Sequence, residues 1–245
     1  MITTIEELSL NAWPSFQTIV YDGWILRFAH GYTKRANSVN PLYVSTLDID
    51  SKISFCEKLY ESQNLPVVFK MTSAVHPRDL DERLATKGYR KDSPTSVQVL
   101  DLEYTTLQRS PDAQLEEELS DDWLDNFCRM SHVSESNGET LQKILTDILP
   151  HHCFVSLQAD DQIIACGLGV LQSDHIGLFD IVTDEAFRGR GYGGQIVETI
   201  LAWGKQNKAR HTYLQVMLNN PSALHLYSKI GFEEKYQYWY RILTR

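Results

Sequence analysis

Asp180-Ile181-Val182-Thr183-Asp184-Glu185-Ala186-Phe187-Arg188-Gly189-Arg190-Gly191-Tyr192-Gly193-Gly194 is the stretch whose reading decides the fold. Ahead of its polar turn, Ile176, Leu178, Ile181 and Val182 give the apolar pattern of a strand. Beyond it, Ile196, Val197, Ile200 and Leu201 recur at helical spacing. Between strand and helix lies a basic, glycine-rich loop, Arg188 to Gly194. Strand, glycine loop and helix in that order suit a phosphate. Glycine permits positive φ and lets a ligand approach the main chain. The N–H groups that open a helix lack intrahelical acceptors and, with the helix dipole, attract anions. Arg188 and Arg190 add positive charge, and a pyrophosphate is the natural guest.

The rest of the chain limits what such a loop can serve. Its 245 residues suffice for one large domain or two small ones with a real core. At 42% hydrophobic and 22% charged residues the composition is globular. A net charge of −9 disfavours general binding to nucleic acid or to an anionic membrane, so the arginines mark a local site and not a basic face. Cys56, Cys128, Cys153 and Cys166 include no CxxC pair, and His151-His152-Cys153 has no second ligand pair at zinc-like spacing. They read as buried thiols, and no metal is expected. The start, Met1 to Glu7, lacks the features of a signal peptide, and no apolar run approaches membrane-spanning length. A cytoplasmic location is expected.

Outward from the loop, the periodicity predicts two similar series of elements. The first begins with a short helix over 4–11, capped by Thr4. Strands at 18–21 and 24–29 are joined by Asp22-Gly23, a strong hairpin signal. A third strand at 36–44, a helix at 50–63, a strand at 66–71, a helix at 77–87 and a strand at 96–102 follow. A polar segment from Tyr104 to Leu119, with Ser110-Pro111, reads as a linker. The second series has helices at 121–132 and 139–149, then strands at 153–158 and 163–171 joined by Asp160-Asp161-Gln162. A strand at 175–183 feeds the loop, and the next helix ends near Asn207. A strand at 212–218, a helix at 221–230 and one or two strands within 232–243 complete the chain. The last seven elements of each series agree in order, and Leu84-Ala85-Thr86-Lys87-Gly88-Tyr89 parallels Tyr227-Ser228-Lys229-Ile230-Gly231-Phe232. The expected domains are residues 1–104 and 120–245, with a linker at 105–119.

Arg188 to Gly193 satisfies the Arg/Gln-x-x-Gly-x-Gly/Ala motif of the Gcn5-related N-acetyltransferases. Further on, Asn220-Pro221-Ser222-Ala223-Leu224-His225-Leu226-Tyr227-Ser228-Lys229-Ile230-Gly231-Phe232 resembles that family's Asn-x-x-Ala-x-x-Leu-Tyr-x-Lys-x-Gly-Phe segment. The resemblance covers residues 115–245 and is highly specific because both motifs occur in order. The first half resembles the family only in element order, as in tandem proteins with a degenerate first copy. The fold implied is α/β with a mixed sheet, the acyl-CoA N-acyltransferase fold in two similar halves. The activity implied is acetyl transfer from acetyl-CoA to a primary amine of a small molecule or peptide. The resemblance also implies that the strand before the loop bulges and splays from its neighbour, and that Ile181, Val182 and Thr183 hold the pantetheine arm. It places the pyrophosphate on Arg188, Gly189, Arg190, Gly191, Tyr192, Gly193 and Gly194. The family's usual proline is replaced by Glu185, a change that concerns the turn.

Direct transfer needs a neutral amine, a donor to the oxyanion and a protonated leaving thiol. The backbone N–H near Val182 or Thr183 is the expected oxyanion donor. By resemblance, Tyr227 is the general acid and Asn220 bonds the pantetheine arm; a core aromatic on an amphipathic helix is the alternative reading of Tyr227. The general base stays open among Asp180, Glu198, His175, His225 and water. The first half has no glycine in Ser45 to Asp50, and Leu84 stands where Tyr227 would, so it is expected to bind no coenzyme. Its stretch Thr33 to Ser38 either lines an acceptor pocket or forms a solvated turn. Two other functions compete. Gly189-x-Gly191-x-x-Gly194 also fits the dinucleotide-binding pattern of an oxidoreductase, but the next strand ends at Leu218-Asn219-Asn220 without the acidic residue that pattern requires. A non-catalytic acyl-CoA sensor is opposed by the intact Tyr227 and Asn220.

Overall fold

A computed structural model describes residues 1–243 apart from 104, 108, 160 and 161. Tyr104, where the expected linker begins, and Asp160-Asp161 of the expected turn lie outside the described residues. In chain order the elements are α1 (Ile2–Ala12), β1 (Gln17–Tyr21), β2 (Trp24–Phe28), β3 (Val39–Asn40), α2 (Ile49–Ser62), β4 (Val67–Met71), α3 (Leu80–Thr86) and β5 (Arg90–Asp101). They continue with β6 (Ala113–Glu116), α4 (Asp121–Met130), α5 (Glu135–Thr146), β7 (His151–Ala159), β8 (Gln162–Gln172) and β9 (His175–Thr183). A 3₁₀ turn (Glu185–Phe187), α6 (Tyr192–Gln206), β10 (His211–Met217), α7 (Pro221–Ile230) and β11 (Glu233–Leu243) complete it. By internal contacts the chain forms two units: Met1–Ser96 together with the end of the chain from Tyr236, and Val97–Lys235.

In the first unit the strands run β1-β2-β3-β4-β11. Asp22 and Gly23, at φ 42° and 83°, make the two-residue turn that sets Tyr21 opposite Trp24. Alternation sends Trp24, Leu26, Phe28, Val39, Phe69 and Met71 into one core with Ile53, Cys56 and Tyr60 of α2 and Leu80 and Leu84 of α3. Among residues of opposite parity, Arg27, Asn40 and Lys70 are polar and still buried. Lys70 pairs with Glu6 of α1 at 2.6 Å. The Tyr236 hydroxyl donates to the same carboxylate at 2.6 Å. Arg27 donates to the carbonyls of Leu10, Trp13 and Arg35.

The second unit orders its strands β10-β9-β8-β7-β6, with β9 and β10 parallel and the other neighbours antiparallel. Helix α6 rests directly on β8. A Cβ at Gly167 would lie 2.4 Å from Ile196, and one at Gly169 2.5 Å from Ile200. Ile196, Val197, Ile200 and Leu201 join Val155, Ile164, Leu178 and Leu214 in the core.

The two series agree in pairing as well as order. β1–β2 and β2–β3 are antiparallel and β3–β4 parallel, as are β7–β8, β8–β9 and β9–β10. Helices α3 and α7 end on Gly88 and Gly231, both at positive φ. The Tyr89 N–H donates to Leu84 and the Phe232 N–H to Tyr227, each at 3.0 Å. Leu84 therefore occupies in the first series the place of Tyr227 in the second.

Several elements differ from their expected bounds for identifiable reasons. Helix α1 begins at Ile2, so Thr4 lies inside it and caps nothing. Strand β3 has two residues because Pro41 offers no N–H and Asn37 turns back to bond the main chain. The expected linker contributes β6, which pairs with β7 from Ala113↔Leu157 to Glu116↔Phe154. The final segment is a single strand, and its end pairs with β4 in the first unit, Trp239 opposite Met71. Its Arg241 holds Asp81 at 2.8 Å. The units are thus not two contiguous segments, since the last strand finds its partner far back in the chain.

Candidate active site

Asp180 on β9 has φ 51°, an uncommon conformation for a residue with a side chain. The ladder with β8 slips there: Leu168 faces Phe179, but Cys166 faces Val182. Two steps along β8 match three along β9, which is a β-bulge. On its other side β9 pairs with β10 only from His175↔His211 to Leu178↔Leu214, though the strands continue to Thr183 and Met217. The two strands part at the bulge. Main-chain groups of half-buried Ile181, Val182 and Thr183 then have no ladder on that side, a template for an extended ligand.

The chain beyond β9 is pinned before it enters the loop. The Asp184 N–H donates to Ile164 at 2.8 Å, and its carboxylate accepts the Ala186 N–H at 3.0 Å, opening the 3₁₀ turn. Glu185 sits in that turn. Arg129 of α4 bonds the Asp184 carboxylate and donates to the Ile163 carbonyl at 3.0 Å. The Arg129 bond, then the Ala186 amide, holds the Asp184 carboxyl below the usual carboxylate range. The sequence offers no local sign of this pair, whose members are 55 residues apart. Were the loop to hold a coenzyme, as the sequence leads one to expect, Arg129→Ala would raise its KM about two- to five-fold with little change in kcat, the scale of a partly exposed ion pair. Initial rates against coenzyme concentration test it; an unchanged KM denies Arg129 a role in holding the loop.

Arg188 donates to the Thr183 carbonyl at 3.2 Å and pairs with Glu185 at 3.3 Å, and the Arg190 guanidinium lies 5.3 Å from the Phe187 ring centre. Arg188, Gly189, Arg190 and Gly191 are exposed. Gly191 caps α6 at φ 89°, ψ −2°, and Gly189 has φ 78°. A Cβ at either would meet nothing within 4 Å, so backbone conformation and not crowding calls for glycine. The N–H groups of Tyr192, Gly193 and Gly194 open the helix just beyond. A Cβ on Gly193 would lie 3.4 Å from Leu226, and one on Gly194 3.5 Å from it, so α7 runs close beside this end of α6.

On α7, Asn220 is the N-cap, its Oδ1 accepting the Ala223 N–H at 3.1 Å, and Pro221 opens the first turn. Tyr227 is 7% exposed and packs edge-on against Phe232 with ring centres 5.8 Å apart. No hydrogen bond from its hydroxyl occurs among the described residues. Burial pushes its pKa up to about 12. Tyr227 is therefore a core aromatic by packing and a protonated phenol by chemistry, and the two readings of it are compatible.

The candidate bases separate by position. Asp180 lies half-buried at the bulge, Glu198 half-buried on α6, and His225 exposed on α7. His175 bonds Asp174 at 2.7 Å at the far end of β9, roughly 25 Å of strand away from Thr183. Burial raises the thiols of Cys56 and Cys166 to about 12, which leaves them inert. Among the described residues no group of three or more His, Cys, Asp or Glu is placed to hold a metal, and no helix is long and apolar enough to cross a membrane. The stretch Thr33 to Ser38 is internal bracing. Lys34 bonds Asp92 and Ser93, the Arg35 guanidinium stacks on Trp13 at 4.2 Å, and Asn37 bonds the main chain at Ala29, Gly31, Tyr32 and Thr33.

The chain is similar to known proteins over most of its length. The family model described as "Probable histone acetyltransferase Rv0428c C-terminal" matches residues 1–241. The "Uncharacterized N-acetyltransferase YobR" of Bacillus subtilis (strain 168) is 32% identical over 249 residues, covering 98% of each chain. The "[Ribosomal protein bS18]-alanine N-acetyltransferase" of Salmonella typhimurium is 30% identical over 80 residues, 33% of this chain and 54% of that protein. Among solved structures, a GCN5-related N-acetyltransferase from Kribbella flavida superposes with a TM-score of 0.70 at 13% identity, covering 98% of this chain and 94% of that one. A tandem protein of the same fold from the clavulanic acid biosynthesis pathway does so with a TM-score of 0.65 at 10% identity, covering 98% and 88%. A bulged strand parted from its neighbour, a glycine loop opening a helix and a family match over nearly the whole length agree: the chain is an acyltransferase that belongs to the GCN5-related N-acetyltransferases, in the family of that Rv0428c C-terminal model.

Proposed function

We propose that the protein transfers an acetyl group from acetyl-CoA directly to a primary amine of a small molecule or peptide, with both substrates bound together. The observation that carries this reading is the meeting of three features in the second unit. They are the parted β9 and β10, the Arg188–Gly194 loop at the head of α6, and Tyr227 on the helix alongside. Acetyl-CoA would bring the activated acyl carbonyl and a thiolate leaving group. The loop amides, with Arg188 and Arg190, fit a pyrophosphate. The main chain of Ile181, Val182 and Thr183 fits an extended pantetheine arm, and the Val182 N–H suits a carbonyl oxygen as it gains charge. Tyr227 would protonate the departing sulfur. Asn220, with Oδ1 committed to its cap, would reach the arm through Nδ2. Orientation of a neutral amine supplies the remaining catalysis.

Release of free coenzyme thiol across a panel of amines tests the reading. Acetyl-CoA binding with no amine-dependent release would exclude transfer. The first unit lacks both a glycine loop and a tyrosine at Leu84, so calorimetric titration is expected to give one CoA per chain. Two equivalent sites would contradict this assignment.

A further inference from the structure

The connection from β3 to α2 stands in the first series where the glycine loop stands in the second. It contains no glycine, yet its main chain still closes around an anion. That anion is the side chain of Asp22, delivered by the hairpin turn between β1 and β2. The carboxylate accepts the Thr46 N–H at 2.9 and 3.0 Å, the Leu47 N–H at 2.9 Å and the Thr46 hydroxyl at 2.7 Å. The Lys52 ammonium of α2 lies 3.1 Å away, with its side chain 0% exposed against 13% for Asp22. Lys52 also donates to the Asp22 carbonyl at 2.6 Å and sits 4.0 Å from the Trp24 ring centre. Gly23 presses the turn onto the loop: a Cβ there would fall 2.5 Å from the Val44 carbonyl oxygen.

We infer that Asp22 is the built-in occupant of an anion site in the first unit. Two main-chain N–H groups, a hydroxyl and a buried ammonium form the site, and losing the carboxylate opens it to a small external anion. The Leu47 amide, then the Thr46 hydroxyl, holds the Asp22 carboxyl well below the usual carboxylate range, so the occupant stays charged. A surface cap would not need a cation wholly out of water. Without the carboxylate Lys52 keeps its hydrogen bonds to the residue-22 carbonyl and the Ser45 hydroxyl but loses this counter-charge, and a buried charge left without one favours taking up an anion. The inference does not depend on what the second unit binds.

Asp22→Gly tests it, because glycine keeps the positive φ of the turn and removes only the carboxylate. The melting temperature of D22G is expected to fall by about 5 °C or more in chloride buffer. Sodium acetate, and separately inorganic phosphate, at matched ionic strength should restore it along a saturating curve. Wild type and D22G/K52M should show no such curve. A D22G response no larger than that of wild type or of the double variant overturns the inference. If D22G does not accumulate folded in chloride, refolding yield across an acetate series decides instead: rising yield supports the site, flat yield refutes it.

Discussion

Gly191→Val is expected to abolish coenzyme binding while the protein stays folded. Gly191 sits at φ 89°, ψ −2° as the N-cap of α6. A β-branched residue there carries strain of about 1–3 kcal/mol. The chain would relieve it by turning the peptide planes on either side of Gly191, and with them the N–H groups proposed to hold the pyrophosphate. The Cβ adds a second effect. Apart from its chain neighbours, no atom of the described residues lies within 4 Å of where it would stand, so the space it enters is open and the variant meets no clash in folding. Two charge-assisted hydrogen bonds lost or bent correspond to about 10²–10⁴-fold in affinity. Titration calorimetry with CoA reads this directly, beside the melting curve of the variant. Gly191→Ala, which adds the Cβ without branching, should fall between. Undiminished CoA affinity in folded Gly191→Val would remove the loop from the binding site.

The glycine loop was legible because its cause is local. The turn at Asp22-Gly23, the helix stop at Gly231 and the apolar stripe of α6 each follow from a few adjacent residues. What the sequence hid depends on distant partners. Strand β6 is short and polar in a segment that reads as a linker, and it is a strand only because β7 is there to pair with. The last strand is easily foreseen, but not its place beside β4. Buried Arg27 and Lys70 look like surface residues until α1, with Glu6 on its inner face, is laid over them. At the site, a bulge somewhere in the strand before the loop follows from the family resemblance, but its place at Asp180 is visible only in the ladder with β8. Arg129 is not legible in the sequence because a lone arginine on an amphipathic helix is ordinarily solvated, and its tie to Asp184 exists only in three dimensions.

Tyr227→Phe is expected to slow acetyl transfer about 10²-fold with little change in CoA affinity. The ring packs against Phe232 and joins the apolar core, and phenylalanine keeps both contacts. The hydroxyl makes no hydrogen bond among the described residues, so its loss leaves no partner stranded and stability should hardly move. Only the proposed proton donor disappears. General acid catalysis contributes about 10²–10⁴-fold, and a thiolate leaves passably without help, which favours the lower figure. Burial holds the phenol at about 12, so it remains protonated throughout the neutral range and should add no limb to the rate profile between about pH 6 and 9. Steady-state kcat can mask the loss where product release limits turnover, so the measurement is the single-turnover rate of acetyl transfer, with the melting temperature beside it. If the tyrosine were a packing residue alone, turnover in the folded fraction would be nearly normal. An unchanged chemical step would therefore take Tyr227 out of the mechanism and leave the parted strands, the loop and water as the whole catalyst.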